Sequence, residues 1–278
     1  QDAATQIKLV WSSTDGFCSC PNVATLPDST KQVKTTWDST AQVCKCPDAP
    51  SGAVGLTLAS PTGPTYCQCP NPYLDAATEV ALVLSSTSDS CVCPAPAIED
   101  SSREVNLVIN SHSDRCVCPS KSAAIDTATE SALELSGQLC QCPHAASWSD
   151  PTVQADLVLS SDGTYCHCPI PSHTSWITIP HIALVWNSES KWCECPNIDT
   201  LPDPTRQVKT TWDTAVQVCK CPNPPNGAVG LTLAFPSGPT YCQCPNPTLN
   251  TATEVALVLA DTFDSCVCPK PSASPLCA

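Results

Sequence analysis

The sequence predicts an all-β chain: a linear, rod-like or solenoid-like array of about eleven tandem β-hairpin repeats cross-linked by disulfides. Three observations predict it. Cys-x-Cys-Pro occurs eleven times, with first cysteines 23 to 27 residues apart. Apolar residues alternate with period two ahead of each pair. A polar turn and a proline-containing connector punctuate every repeat. A fixed period of this length marks a row of small units rather than one globular core. A unit of about 25 residues is too small to fold without cross-links.

The first cysteines are Cys18, Cys44, Cys67, Cys91, Cys116, Cys140, Cys166, Cys193, Cys219, Cys242 and Cys266. They set repeats at residues 1–21, 22–47, 48–70, 71–94, 95–119, 120–143, 144–169, 170–196, 197–222, 223–245 and 246–269, with a tail at 270–278. Each repeat opens on a strand. Eleven residues before the cysteine stand Ile7, Val33, Val80, Val105, Ile182, Val208 and Val255; nine before it stand Leu9, Leu82, Leu107, Leu157, Leu184 and Leu257. Seven before it stand Trp11, Trp37, Leu84, Ile109, Leu159, Trp186, Trp212, Phe235 and Leu259. This alternation describes one strand with a buried face, and reads the tryptophans as core.

A polar turn follows, as in Ser12-Ser13-Thr14-Asp15-Gly16, Ser85-Ser86-Thr87-Ser88-Asp89 and Ser161-Asp162-Gly163. Such residues tolerate positive φ and supply local hydrogen bonds. The third and tenth repeats carry longer turns around Gly63-Pro64 and Gly238-Pro239; the sixth has the short turn Ser136-Gly137. A short return strand then carries both cysteines. Proline ends it for lack of a ladder donor, and stiff Pro-x-Pro connectors such as Pro70-Asn71-Pro72 and Pro94-Ala95-Pro96 lead onward. Only 123–135 offers a weak helical pattern.

In an extended strand, residues i and i+2 lie about 6.5–7 Å apart with parallel side chains, a poor geometry for a bridge inside one Cys-x-Cys. Equivalent repeats should bond equivalently. The simplest pattern links the second cysteine of each repeat to the first of the next: Cys20–Cys44, Cys46–Cys67, Cys69–Cys91, Cys93–Cys116, Cys118–Cys140, Cys142–Cys166, Cys168–Cys193, Cys195–Cys219, Cys221–Cys242 and Cys244–Cys266. Cys268 would then close onto Cys277, leaving Cys18 over. A crossed pattern beginning Cys18–Cys46 stays open, since spacing does not settle connectivity.

Twenty-three cysteines in 278 residues point to an oxidising, extracellular compartment. The absence of methionine and the start at Gln1 are what a secreted chain would present after signal-peptide removal. No apolar run reaches the ~20 residues of a membrane span. A net charge of −14 with 12 basic residues disfavours nucleic acid as a partner. Charged residues are only 14% of the chain, so solubility is expected to come from sugar. No Asn-x-Ser/Thr acceptor exists: Asn110, Asn187 and Asn250 miss it by one position and Asn246 precedes Pro247. Glycans are therefore expected on hydroxyls in the turns, with Ser12, Ser13, Thr14, Ser85, Ser86, Thr87, Ser88, Ser111, Ser113, Ser160 and Ser161 as candidates.

A longer period overlies the short one. Residues 31–70 and 206–245 are nearly identical, 175 residues apart, which indicates duplication of a block of repeats. No repeat departs from the others in the pointed way a catalytic site requires, so no catalytic residue, metal or cofactor is expected. The five histidines all lie between His112 and His181, and His167, between Cys166 and Cys168, occupies a place that Gln, Lys or Glu fill elsewhere.

The Cys-x-Cys-Pro period, the Ser/Thr-rich turns and the Pro-x-Pro connectors together resemble the tandem β-hairpin glycofibril proteins of freshwater microalgae. The resemblance spans nearly the whole chain. It implies an extracellular filament whose protein thread is sheathed in O-linked sugar on Ser, Thr or modified Pro. The expected function is thus a secreted structural protein that assembles end to end, mainly by pairing and stacking of terminal hairpins. The alternative is a cell-surface adhesin or carbohydrate-binding stalk that uses the more varied fifth to eighth repeats.

Overall fold

The computed structural model describes residues 6–13, 16–59, 65–144, 154–170, 181–234, 240–245 and 254–269. The turns at Gly63-Pro64 and Gly238-Pro239, and Phe235, Thr14 and Cys277, lie outside them. The described chain is all-β, a tandem array of antiparallel hairpins with strands of two or three residues. The 123–135 segment forms no helix; it contributes strands Glu130–Ser131 and Glu134–Ser136. Among the described residues no helix is long and apolar enough to cross a membrane.

Among the described residues, the opening strand is not continuous in eight of the eleven repeats, contrary to the period-two reading. It breaks into two pieces that serve different sheets. In the first repeat, Val10–Ser12 pairs with its own return strand Phe17–Ser19, while Gln6–Ile7 pairs with Val43–Lys45, the return strand of the second repeat. The cause is the open edge that a lone hairpin leaves. Two strands are marginal in water, and a third supplies the missing ladder bonds. Each of the first ten repeats therefore donates residues to the next one. At the break, the leucine nine before the cysteine turns inward: Leu82, Leu107, Leu157 and Leu184 are all buried.

Contacts divide the chain into two compact bodies. One comprises residues 1–121, 133–141 and 162–164; the other comprises 122–132, 142–161 and 165–278. Among the described residues the first holds four three-stranded and two two-stranded sheets. Its core alternates leucine with bridged sulfur: Cys67, Leu82, Cys91, Leu107, Cys116 and Cys140 form one buried cluster. The second body holds four three-stranded sheets and one of two strands.

Among the described residues, nine hairpins close on one left-handed residue, two or three positions before the cysteine. Gly16, Gly137 and Gly163 take this place in some turns; Gln42, Ser88, Ser113, Lys191, Gln217 and Phe263 take it in others, at φ between 55° and 62°. Trp11 and Trp37 correct the core expectation, whereas Trp186 and Trp212 are half-buried. Trp37 is 44% exposed although it lies in register with Cys44. Among the described tryptophans, Trp192 is buried; it directly precedes Cys193 and meets the edge of the His144 ring at 5.4 Å.

Candidate functional site

The recurring element that distinguishes this chain is the joint between consecutive repeats. Its centre is the first cysteine of each return strand. In the first joint, Cys44 lies in register with Ile7 of the preceding repeat on one side and Trp37 of its own hairpin on the other. Its sulfur is bonded to Cys20 of the preceding repeat. Backbone and sulfur thus come from the same neighbour.

The pattern recurs along the array. Val33 opposes Cys67, bonded to Cys46. Val80 opposes Cys116, bonded to Cys93, and Val105 opposes Cys140, bonded to Cys118. Ser131 opposes Cys166, bonded to Cys142, and Ala155 opposes Cys193, bonded to Cys168. Ile182 opposes Cys219, bonded to Cys195, and Val208 opposes Cys242, bonded to Cys221. In two joints the donated strand narrows to one bridge: Val54 against Cys91, bonded to Cys69, and Val229 against Cys266, bonded to Cys244. In all ten, the bridged Cα atoms are 5.5 to 5.7 Å apart, within the ordinary range for a disulfide. The ten central cysteines are buried. Cys18 and Cys268 are exposed and enter none of these bridges; the expected Cys268–Cys277 pair involves a residue outside those described.

Polar contacts brace two repeats internally and reinforce one joint. Asn22 Nδ2 donates to the Thr35 carbonyl at 3.0 Å, and the Thr35 N–H donates to Asn22 Oδ1 at 2.7 Å. Asn197 and Thr210 repeat the arrangement, with the Thr210 N–H to Asn197 Oδ1 at 2.7 Å. Between the fourth and fifth repeats, Arg115 Nη1 donates to both carboxylate oxygens of Glu79 at 2.8 Å, while its Nε donates to Asp114 Oδ1 at 2.9 Å. The Arg115 guanidinium holds the Asp114 carboxyl down to about 2, helped by the Asn110 amide. Glu79 is also lowered, first by the Asp75 N–H and then by Arg115.

A second device was missed by the sequence reading. Five donated strands are preceded by a tight Asp-x-x-x-Glu/Gln turn: Asp28–Gln32, Asp75–Glu79, Asp100–Glu104, Asp126–Glu130 and Asp203–Gln207. In each, the distal side chain accepts from the Asp N–H, as with Glu79 at 2.8 Å and Glu130 at 2.9 Å. The Asp carboxylate in turn accepts an N–H two residues on. This reciprocal closure resembles a helix capping box, here launching a strand. The five-residue spacing was visible in the sequence but is masked by the stronger cysteine period.

The candidate glycan acceptors cluster at the hairpin tips. Ser13, Ser86, Thr87, Ser111, Ser113 and Ser161 are exposed, whereas Ser12, Ser85 and Ser88 are half-buried; Thr14 lies outside the described residues. Thr87 Oγ1 donates to Asp89 Oδ1 at 2.7 Å, which orients rather than hides it. Ser160 differs from these: it is 6% exposed and its Oγ accepts the Tyr165 N–H at 3.2 Å. His167 is half-buried with its Nδ1 2.8 Å from the Cys168 carbonyl, and the flanking sulfurs are bonded to Cys142 and Cys193.

No family model, no curated protein and no solved structure matches this chain.

Proposed function

We propose that this chain is a secreted structural protein, the thread of an extracellular O-glycosylated fibril or matrix filament of the microalgal glycofibril type, assembling end to end. One observation carries the reading: a single joint is used ten times, each time with donated backbone and donated sulfur from the same neighbour. Tension along such an array passes through the backbone and through a parallel sulfur link at every step. The density of bridges suits an oxidising extracellular setting. The exposed serine and threonine tips offer acceptors for the sugar that a chain with 14% charged residues needs at its surface.

The test is electron microscopy of purified chain, with intact mass before and after chemical removal of O-glycans. Filaments, and a mass that falls by many hexose units, are expected. A bare polypeptide mass together with sugar or cell binding confined to a 102–196 fragment would replace this reading with the adhesin one.

A further inference from the structure

Asn-Gly occurs once in the chain, at Asn226-Gly227. It sits in a turn that the block duplication has made twice. Each copy is closed by one backbone bond: the Ala228 N–H donates to the Pro225 carbonyl at 3.0 Å, and the Ala53 N–H donates to the Pro50 carbonyl at 3.0 Å. Gly227 and Gly52 take the left-handed place, at φ 82° and 84°. The residue before the glycine differs, asparagine in one copy and Ser51 in the other. Residues 223–229 are all exposed. Among the described residues the Gly227 N–H donates to no backbone carbonyl, and the Asn226 carboxamide is held by no hydrogen bond. A Cβ on Gly227 would meet nothing within 4 Å, so the backbone there is open on every side.

The other described asparagines are blocked, followed by bulkier residues or tied down. Proline follows Asn71 and Asn223 and has no N–H to offer. Asn110 and Asn187 precede serine, and both are fixed at each end of the amide. Asn110 Nδ2 donates to Asp114 Oδ1 at 2.9 Å while its Oδ1 accepts the Asp114 N–H at 3.1 Å. Asn187 Nδ2 donates to Glu194 Oε2 at 3.2 Å while its Oδ1 accepts the Glu189 N–H at 3.0 Å. Asn22 and Asn197 are held on Thr35 and Thr210.

We propose that Asn226 is a self-modifying site, deamidated by the backbone of its own turn, and that the product loosens the joint between the tenth and eleventh repeats. The Gly227 backbone nitrogen attacks Cγ of Asn226. A new N–Cγ bond closes a five-membered succinimide, the Cγ–Nδ2 bond breaks, and ammonia leaves with the proton that Gly227 gives up. Glycine permits this because no side chain hinders the approach or the backbone rotation it needs. Water then opens one of the two ring carbonyls. Opening at Cγ gives aspartate. Opening at the main-chain carbonyl gives isoaspartate, whose backbone runs through Cβ and is one carbon longer. The net change takes up one water and releases one ammonia, and it adds one negative charge.

The consequence follows from what lies next in the chain. Val229 forms the single-residue bridge of the tenth joint, and its carbonyl accepts the Cys266 N–H at 2.9 Å. Val229 is 45% exposed, whereas its counterpart Val54 is 9% exposed, so little packing holds this bridge in place. An added backbone carbon three residues before Val229 shifts it against Cys266. The disulfide Cys244–Cys266 keeps the two repeats connected while the backbone pairing weakens. One copy of the duplicated block thus carries an age mark, and the other, through Ser51, carries none. The inference stands apart from the filament reading.

The experiment ages the full purified chain for weeks near neutral pH, then maps its peptides by mass spectrometry with fragmentation that separates aspartate from isoaspartate, and follows amide exchange. Asn226 should gain about one mass unit and show isoaspartate, roughly tenfold faster than Asn110 or Asn187. Asn226→Ser should abolish the change, and Ser51→Asn should create a second site in the other copy of the turn. In the aged chain the Cys266 amide should exchange several-fold faster than in the fresh one, while the Cys91 amide stays as it was. Conversion of Asn226 no faster than that of Asn187 overturns the site. A Ser51→Asn chain that stays unchanged at that position overturns the role given to the turn. Isoaspartate at 226 with unaltered exchange at Cys266, or equal acceleration in aged Asn226→Ser, overturns the loosening.

Discussion

Val105 and Cys140 face one another in antiparallel register, and the sulfur of Cys140 is bonded to Cys118, which follows Val105 in the same repeat. The fifth repeat thus grips the sixth by a strand and by a bridge at one point. Removing the bridge in C118S/C140S should weaken that joint by about 3 kcal/mol, the scale for closing a loop of this length. Because each repeat leans mainly on its neighbours, the loss should be local. Hydrogen exchange should accelerate at Glu104–Asn106 and Leu139–Gln141 while Gln207–Val208 and Tyr241–Gln243 stay protected. Uniform acceleration along the chain would contradict this.

The inward leucine at the strand break carries more weight than the residues flanking it. Leu157 is fully buried, so Leu157→Ala should cost about 2–5 kcal/mol locally. Val108 lies on an exposed strand face, and Val108→Thr should change stability by less than about 0.5 kcal/mol. Exchange at the neighbouring strand amides measures both.

Phe263 takes the left-handed turn position at φ 58° with its ring exposed. A side chain pays about 1 kcal/mol or more there, a cost that glycine at Gly163 escapes. Phe263→Gly should therefore raise the local stability of the last hairpin by roughly 0.5–1 kcal/mol, read by exchange at Cys266–Val267.

Arg115 sets the acid behaviour of its joint. The Asp114 carboxyl is depressed to about 2, chiefly by this guanidinium. A lowered folded-state value means the stabilisation is full above the unfolded value near 3.9 and is lost as pH falls toward 2. In Arg115→Gln, the Asp114 midpoint should move up toward the ordinary range by carboxyl NMR. Glu79 should move less, since its first cause is the Asp75 N–H, which the substitution leaves in place.

The Asp-x-x-x-Glu/Gln turn tolerates either amide or acid, because Gln32 and Gln207 accept the same N–H that Glu79 and Glu130 accept. Glu104 accepts from both Glu99 and Asp100 N–H. Glu104→Gln should be nearly neutral, and Glu104→Ala should cost about 1 kcal/mol, measured by exchange at Val105 and Asn106.

The hairpin array and its periodic cysteines were legible because sterics force them locally. Period-two patterning marks strands, Asp-Gly and Ser-Asp mark turns, and Pro after Cys20 or Cys46 ends a return strand. The break between Ile7 and Val10 was not legible, since donated and self-paired pieces share one alternation and only the partner's edge tells them apart. Trp37 misled for a related reason: its register places it beside Cys44, yet it is left 44% exposed. Ser160 looked like every other turn serine, and only the fold turns its hydroxyl toward Tyr165.

The most direct measurement is mass-spectrometric mapping of non-reduced peptides across the interior of the purified chain. The account predicts that Cys46 is recovered with Cys67, Cys118 with Cys140 and Cys221 with Cys242. Sulfurs joined within one Cys-x-Cys, or bridges that pass over an adjacent repeat, would contradict it.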